Sequence, residues 1–254
     1  MFIQFFLMMV FSAVILNPLS AQTDLPLTYL WKPKYYASVE GQERLTYARS
    51  FARSQMKFAD LDGDDDMDLL IGKGDGRLAL FRNIGNPKES NLRLETEDFE
   101  VIHEEKDANQ QLMYLNKIVD VGKNAAPDLA DIDDDGDLDL FVGSSDGQIF
   151  FFENRGNKLL PKFFRVTPIY MNLNFVGNSV PRFADLNGDL AKDLIVGLKD
   201  GRVMIYFNSG VSTNALFCKG YDPLNPPDPR CKFQPLLLTN ISPLGDASPT
   251  LVDW

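Results

Sequence analysis

Three segments of this chain repeat one another without a gap. FADLDGDDDMDLLIGKGDGRLALFRNIG begins at Phe58, LADIDDDGDLDLFVGSSDGQIFFFENRG at Leu129 and FADLNGDLAKDLIVGLKDGRVMIYFNSG at Phe183. Counted from the first aspartate of each (Asp60, Asp131, Asp185), a glycine follows 12 residues on at Gly72, Gly143 and Gly197. An Asp-Gly pair starts 15 residues on at Asp75, Asp146 and Asp200, and an asparagine stands 23 residues on at Asn83, Asn154 and Asn208. A register held three times limits the fold to one that grows by stacking equivalent units.

Each unit reads as β-structure. A short apolar segment leads into the first aspartate, and a run such as Leu140-Phe141-Val142 follows the acidic stretch. Runs this short and this rich in branched side chains predict buried strands. The glycine and the Asp-Gly pair then signal a hairpin turn, and a third strand follows, as at Leu78 to Phe81. First aspartates lie 71 and then 54 residues apart, leaving room for a fourth strand such as Phe99 to Ile102 and for a helix in the spacer from Glu104 to Ile118. The expected fold is all-β, with three four-stranded β-propeller blades that sit radially, bury both faces and keep their edges short.

The acidic loops are expected to hold a cation; an acid-rich hairpin loop, solvated and metal-free, is the alternative. Of the 36 Asp and Glu residues, fifteen fall in three nine-residue windows starting at the first aspartates, so the net charge of −11 belongs to sites and not to the surface at large. At positions 1, 3, 5 and 9 stand Asp60, Asp62, Asp64 and Asp68; then Asp131, Asp133, Asp135 and Asp139; then Asp185, Asn187, Asp189 and Asp193. Alternate positions of a tight loop turn their carboxylates inward, and position 7 (Asp66, Asp137, Ala191) is expected to add a backbone carbonyl. Two carboxylates about 5 Å apart repel by roughly 3 kcal/mol at an effective dielectric near 20. Many hard oxygen ligands in a flexible loop suit Ca²⁺ better than Mg²⁺, which keeps its waters and demands octahedral geometry. Three Ca²⁺ sites are therefore expected, the third the weakest because Asn187 removes one charge. The apolar residues between ligands, Ile132 and Leu138, are expected to anchor the loop to the core. An EF-hand is excluded: it needs Glu at position 12, where Ile71, Val142 and Val196 stand, and Gly at position 6, present only as Gly136.

These Asp-x-(Asp/Asn)-x-Asp-x-x-x-Asp loops, each followed by an apolar strand, a glycine and Asp-Gly, resemble FG-GAP/VCBS-type repeats, the calcium-binding blades of integrin-α-like propellers. The lead-ins GKNAAPDLADID and GNSVPRFADLN and the exits FFENRGN and YFNSG resemble the bacterial-type version, and the resemblance covers about residues 56–254. The literal Phe-Gly and Gly-Ala-Pro elements of integrin repeats are absent. The resemblance implies a non-catalytic, exported calcium-binding module for a protein or glycan partner, as in cell adhesion. The alternative is the propeller or accessory module of a secreted polysaccharide-active or phospholipase-type enzyme. Glycoside hydrolysis would require a carboxylate pair outside the calcium loops, for which Glu104, Glu105 and Glu153 are the nominal candidates. The sole histidine, His103, reads as an exposed surface residue and supports no Ser-His-Asp triad. The acidic balance argues against nucleic acid.

The N-terminus is apolar from Phe2 to Ile15 and is broken by Asn17 and Pro18 before Ser20-Ala21. It reads as a signal peptide over about residues 1–21, too short for a comfortable membrane span, with an N-terminal anchor as the alternative. The chain is then expected to be secreted or at the cell surface, where Cys218 and Cys231 would pair across KGYDPLNPPDPR; two free thiols are the alternative. Trp31, Tyr35 and Tyr36 are either packing residues or a carbohydrate-stacking patch, and Asn240 opens a glycosylation sequon. The expected organisation is a strand segment at 22–55, repeats at 56–123, 124–178 and 179–246, and the start of a truncated fourth at 247–254. There Pro249 stands four residues before Asp253 as Pro127 does before Asp131. The chain would then be a piece of a longer, partial propeller, or its last strand would pair near Tyr29 to Val39 to close a small ring.

Overall fold

The computed structural model describes residues 36–39, 42–45, 54–86, 89–218, 229–238 and 246–249. These are all-β apart from a 3-10 turn at Tyr170–Asn172. β1 (Tyr36–Val39) and β2 (Gln42–Leu45) form a hairpin. β3 (Gln55–Ala59), β4 (Asp68–Gly72), β5 (Leu78–Asn83) and β6 (Leu92–Thr96) form an antiparallel sheet in chain order. β7 (Glu100–Lys106) and β8 (Leu112–Ile118) are followed by β9 (Ala126–Ala130), β10 (Asp139–Gly143), β11 (Ile149–Asn154) and β12 (Phe163–Thr167). Together they make a six-stranded sheet of order β8-β7-β12-β11-β10-β9. β13 (Ser179–Ala184), β14 (Asp193–Leu198), β15 (Val203–Tyr206) and β16 (Leu236–Leu238) form the third large sheet.

The repeat appears as three copies of one three-stranded meander: β3-β4-β5, β9-β10-β11 and β13-β14-β15. The register is the same in each, with Ala59 opposite Asp68, Ala130 opposite Asp139 and Ala184 opposite Asp193. The middle strands are buried along their whole length, as their apolar runs require.

The expected β-propeller is not formed. The three large sheets are separate, and none closes into a barrel or curls into a propeller blade. The spacer after the first meander is one reason the units are unequal. The fourth strand of the first sheet is Leu92–Thr96, while the segment expected in that place lies in β7, which pairs in parallel with β12 of the second sheet at Phe164 opposite Ile102. The helix expected from Glu104 to Ile118 is instead the β7–β8 hairpin. Its turn is built by Asp107, whose carboxylate accepts the N–H groups of Asn109 and Gln111 at 2.8 Å, with Gln110 at φ +64°. An Asx turn of this kind between alternating segments selects strands over a helix.

Consecutive units dock backbone to backbone. A Cβ on Gly72, Gly143 or Gly197 would stand only 2.1–2.2 Å from the carbonyl oxygen of Ala125, Ser179 or Ala247 in the lead-in of the following unit. The same Cβ would meet the ring of Pro127, Pro181 or Pro249 at 2.5–2.7 Å. The lead-ins are fixed by N–H donors: Ala125 to Lys73 O at 3.0 Å, Ser179 to Ser144 O at 3.0 Å, and Ala247 to Leu198 O at 2.9 Å. Three residues before each first aspartate, Lys57, Asp128 and Arg182 form a charged row across β3, β9 and β13. Asp128 is fully buried, with Lys57 Nζ 2.6 Å from its Oδ1 and the Phe183 N–H donating to its Oδ2 at 2.8 Å. Arg182 donates to the carbonyls of Pro127 and Pro181.

The apolar cores lie between neighbouring meanders. Leu61, Leu70, Leu80, Leu129, Leu140 and Phe152 share one cluster; Ile132, Phe141, Phe183, Leu194 and Tyr206 share the next. Ile132 thus anchors its loop as expected, Leu138 packs half-buried beside the first cluster, and Leu61 takes the same place as Ile132 in the first loop. Phe141 is stacked on Phe151 at 4.9 Å and tilted against Phe183 at 4.2 Å between ring centroids. Cys218 and Cys231 are disulfide-bonded, with Cα atoms 5.7 Å apart. No helix among the described residues is long and apolar enough to cross a membrane. The signal segment, Trp31, Tyr35, the sequon at Asn240 and the final Thr250 to Trp254, on which truncation or ring closure would turn, lie outside the described residues; Tyr36 is described in its backbone alone.

The docking contact makes a direct prediction. Gly143→Ala should destabilise the fold by roughly 2–4 kcal/mol, because the methyl group meets backbone that cannot rotate away. Ser145→Ala, half-buried on the neighbouring turn with its hydroxyl bonded only to the exposed Asp146, should change stability by less than about 0.5 kcal/mol. Paired urea denaturation curves check both.

Candidate metal centre

Each acidic loop is a coil of backbone wound around its first aspartate. Asp60 accepts the N–H groups of Gly63 (2.7 Å) and Asp65 (3.3 Å); Asp131 accepts those of Asp135 (3.2 Å) and Gly136 (3.0 Å). Asp185 accepts three, from Gly188, Asp189 and Leu190. The coil needs left-handed residues at positions 4 and 6. Gly63 and Asp65 fill them in the first loop, Asp134 and Gly136 in the second, and Gly188 and Leu190 in the third, with φ between +60° and +92°. For Leu190, 80% exposed, this conformation costs about 1 kcal/mol or more, a local strain its loop carries. Position 5 closes the second half: Asp64, Asp135 and Asp189 each accept the position-7 N–H at 3.0 Å.

Position 9 opens the second strand and is buried in all three loops. Oδ1 of Asp68, Asp139 and Asp193 accepts the N–H of Asn83, Asn154 and Asn208, in each case at 2.7 Å. Each asparagine side chain in turn accepts two N–H groups of the next turn: Gly85 and Asn91, Gly156 and Lys162, Gly210 and Leu216. The sequence displays this asparagine as a repeat position, but only the structure shows that it links the acidic loop to the end of the third strand.

Two loops gather carboxylates. One oxygen each from Asp60, Asp62 and Asp64, and likewise from Asp131, Asp133 and Asp135, all lie within 4.8 Å of one another. Ligands around a Ca²⁺ ion at 2.3–2.6 Å are separated by up to about 5 Å, so both clusters fit that ion. Buried oxygens with no hydrogen-bond donor point the same way: Asp62 Oδ1 and Asp66 Oδ1 in the first loop, and Asp133 Oδ1, Asp137 Oδ1 and Asp139 Oδ2 in the second. A buried acceptor left unmet costs about 1–3 kcal/mol, more when charged, and a cation removes that cost. Asp66 and Asp137 therefore have side-chain oxygens to offer, beyond the backbone carbonyl expected from position 7.

The third loop departs from expectation. Two acidic clusters are found among the described residues, not three. Asn187 accepts the Asp189 N–H at 2.9 Å, and its amide group donates to Asp189 Oδ2 at 3.0 Å, so the loop satisfies itself. Ala191 adds no side-chain oxygen, and Asp193 Oδ2 accepts the Leu186 N–H at 2.9 Å.

The proton affinities follow these environments. Burial, opposed by the Asn154 N–H and reinforced by Asp133, Asp137 and Asp135, pushes Asp139 up to about 7. Burial and then Asp135, Asp133 and Asp131 push Asp137 up to about 6. Burial also raises Asp62, Asp66, Asp68, Asp133 and Asp193. In Asp185 burial acts upward, but the loop N–H donors outweigh it and hold the carboxyl below its usual range. Asp60 behaves alike, with Lys158 and the Gly63 and Asp65 N–H groups outweighing burial.

The carboxylates considered for catalysis sit elsewhere and are ion-paired. Arg155 bridges Glu104 and Glu153, and Lys117 pairs with Glu105. His103 lies on β7, partly buried, and is held below its usual value by burial and then by Arg165 and Lys117. The exposed surface position expected for it is not what the strand provides.

A pH dependence follows. With Asp137 and Asp139 titrating near 6 and 7 in the folded chain and near 4 when unfolded, the metal-free fold binds extra protons between those values. Its stability should therefore fall as pH rises from 5 to 8. Melting temperatures in chelator should show that decline, and Asp139→Asn should flatten most of it.

Comparison with known proteins gives one family match, over part of the chain. Residues 131–196 match the model of the FG-GAP-like repeat. No curated protein and no solved structure matches the chain. The matched span runs from the first aspartate of the second loop to Val196 in β14, so it holds the second acidic cluster and the whole of the third loop. An FG-GAP-like repeat domain is present over residues 131–196.

Proposed function

We propose that this chain is an exported calcium-binding repeat protein that acts without catalysis, presenting a binding surface to a protein or glycan partner. The observation that carries the reading is the set of buried, donor-less carboxylate oxygens converging in the first two loops. Loops of this kind repel themselves apart without a cation and become rigid with one. An FG-GAP-like repeat fits a binding role of this sort, and the apolar sequence at residues 1–21 supports export. The loops are flanked by exposed apolar side chains, among them Phe58, Met67, Leu159 and Leu190. Between the first two loops runs a groove of about 500 Å³ lined by Phe58, Met67, Leu138 and Lys158. Calcium in this reading orders the rims of that groove and does no chemistry.

Calcium should stabilise the fold. At about 100 times its dissociation constant an ion adds roughly 2.7 kcal/mol per site, so low-millimolar calcium should raise the melting temperature and EDTA should lower it. An unchanged melting curve in both would refute the metal reading. Asp131→Ala should lose one bound ion by calorimetry, whereas Asp185→Ala should leave the ion count unchanged. Glycan and surface-protein arrays probed with and without calcium test the binding role. Turnover on a polysaccharide panel would favour the enzymatic alternative.

A further inference from the structure

The two acidic clusters carry the same formal charge, six aspartates each between positions 1 and 9. Their surroundings differ at two repeat positions. Twenty-two residues after the first aspartate the first unit has Arg82, where the second has Glu153 and the third Phe207. Arg82 Nη1 lies 2.5 Å from Asp68 Oδ2 and 3.4 Å from Asp62 Oδ2, and its Nε lies 2.8 Å from Glu95. The guanidinium therefore spans positions 9 and 3 of the loop. Glu153 instead pairs with Arg155 and adds a like charge near Asp133.

The second difference comes from the neighbouring unit. Twenty-seven residues after its own first aspartate, each following unit sends a turn residue back to the preceding loop. In the second unit this is Lys158, 3.1 Å from Asp60 Oδ2 and 3.5 Å from Asp65 Oδ1. In the third it is Ser212, which donates to Asp134 Oδ2 at 2.9 Å and brings no charge. Among the described residues, the first loop thus receives two cations from the chain and the second none. The consequence shows at position 9: Asp68 Oδ2 is taken by Arg82 and the Leu61 N–H, while the equivalent Asp139 Oδ2 is buried without a donor.

We propose that Arg82 and Lys158 are resident counter-ions of the first loop, so that the second loop is where this protein takes up and responds to calcium. The inference rests on the calcium reading above. A guanidinium across positions 3 and 9 and an ammonium at position 1 oppose an incoming divalent ion by like-charge repulsion. They also occupy oxygens the ion would otherwise use. The first loop keeps its shape on the chain's own charges, and the second depends on an ion from solution.

Calcium titration calorimetry on the full chain tests this. The wild type should show one site at least about tenfold tighter than the other, since a unit charge a few ångströms away is worth that much even when partly screened. Asp133→Asn should abolish the tight site, and Asp62→Asn only the weak one. Lys158→Ala, at an exposed side chain, should tighten the weak site by several-fold, and Arg82→Gln by more. Glu153→Arg, which copies the first unit's arginine into the second, should weaken the tight site by about tenfold or more. If Arg82→Gln fails to fold, Lys158→Ala and Glu153→Arg carry the test. Two equal sites unmoved by these changes, or a tight site lost with Asp62→Asn, would overturn the proposal. Absence of calcium binding in every variant would instead overturn the calcium reading itself.

Discussion

The interaction on which the repeat depends is a buried carboxylate meeting a backbone N–H, made three times at the same distance. Asp68, Asp139 and Asp193 each hold the amide of the asparagine at the end of the third strand at 2.7 Å. A charge-assisted bond of this kind, inside a strand end closed to water, is worth about 1.5–3 kcal/mol. It joins two segments 15 residues apart and sets where the second strand starts. The same residue occupies the last acidic position of the loop. Loop charge and strand register are therefore one property of the unit, and a change to either is felt by the other.

The three loops solve one problem in three ways. Aspartates packed within a few ångströms must be neutralised, screened or replaced. The first loop brings cations from the chain and leaves oxygens of Asp62 and Asp66 open, the second leaves its position-9 oxygen open too, and the third substitutes an amide that donates to its neighbour. Backbone geometry is nearly constant across all three, with left-handed residues at positions 4 and 6 in every case. The shape of the loop is thus set by the N–H groups turned toward the first aspartate. The charge inside that shape is free to vary between units.

Much of this was legible in the sequence, and what was not has identifiable causes. The gapless register located β4, β10 and β14 and the acidic turns, because buried strands and tight turns leave strong local patterns. The Cys218–Cys231 pair is the one of the two alternatives that an exported chain favours, and the disulfide is formed. The spacer from Glu104 to Ile118 differs: its length leaves room for a helix, and only the Asp107 turn reveals a hairpin. Its parallel pairing with β12 is a long-range choice that no local pattern encodes, and the radial arrangement expected from edge protection, repeat spacing and the family resemblance has no local pattern behind it either. The third loop was counted as a site because Asn187 can ligate; that its amide turns instead to Asp189 is a matter of geometry. Asp66 and Asp137 stand among the expected site residues through position 7, but the burial of their side-chain oxygens is not visible from sequence.

The glycine that meets the next unit's carbonyl has a consequence for how such a chain can change. The backbone part of the joint between units is glycine against a carbonyl and a proline ring, so that part carries almost no sequence information of its own. Any unit with the glycine at one end and the proline at the other presents the same two halves of that backbone contact. Duplication or deletion of a whole unit then recreates the backbone seam at once, and only the side chains of the core shared between units have to adjust. An insertion within a unit gains no such seam. The spacers are where length has room to accumulate, and their disparity, 71 residues between the first two starting aspartates and 54 between the next, is the mark that lineage would leave.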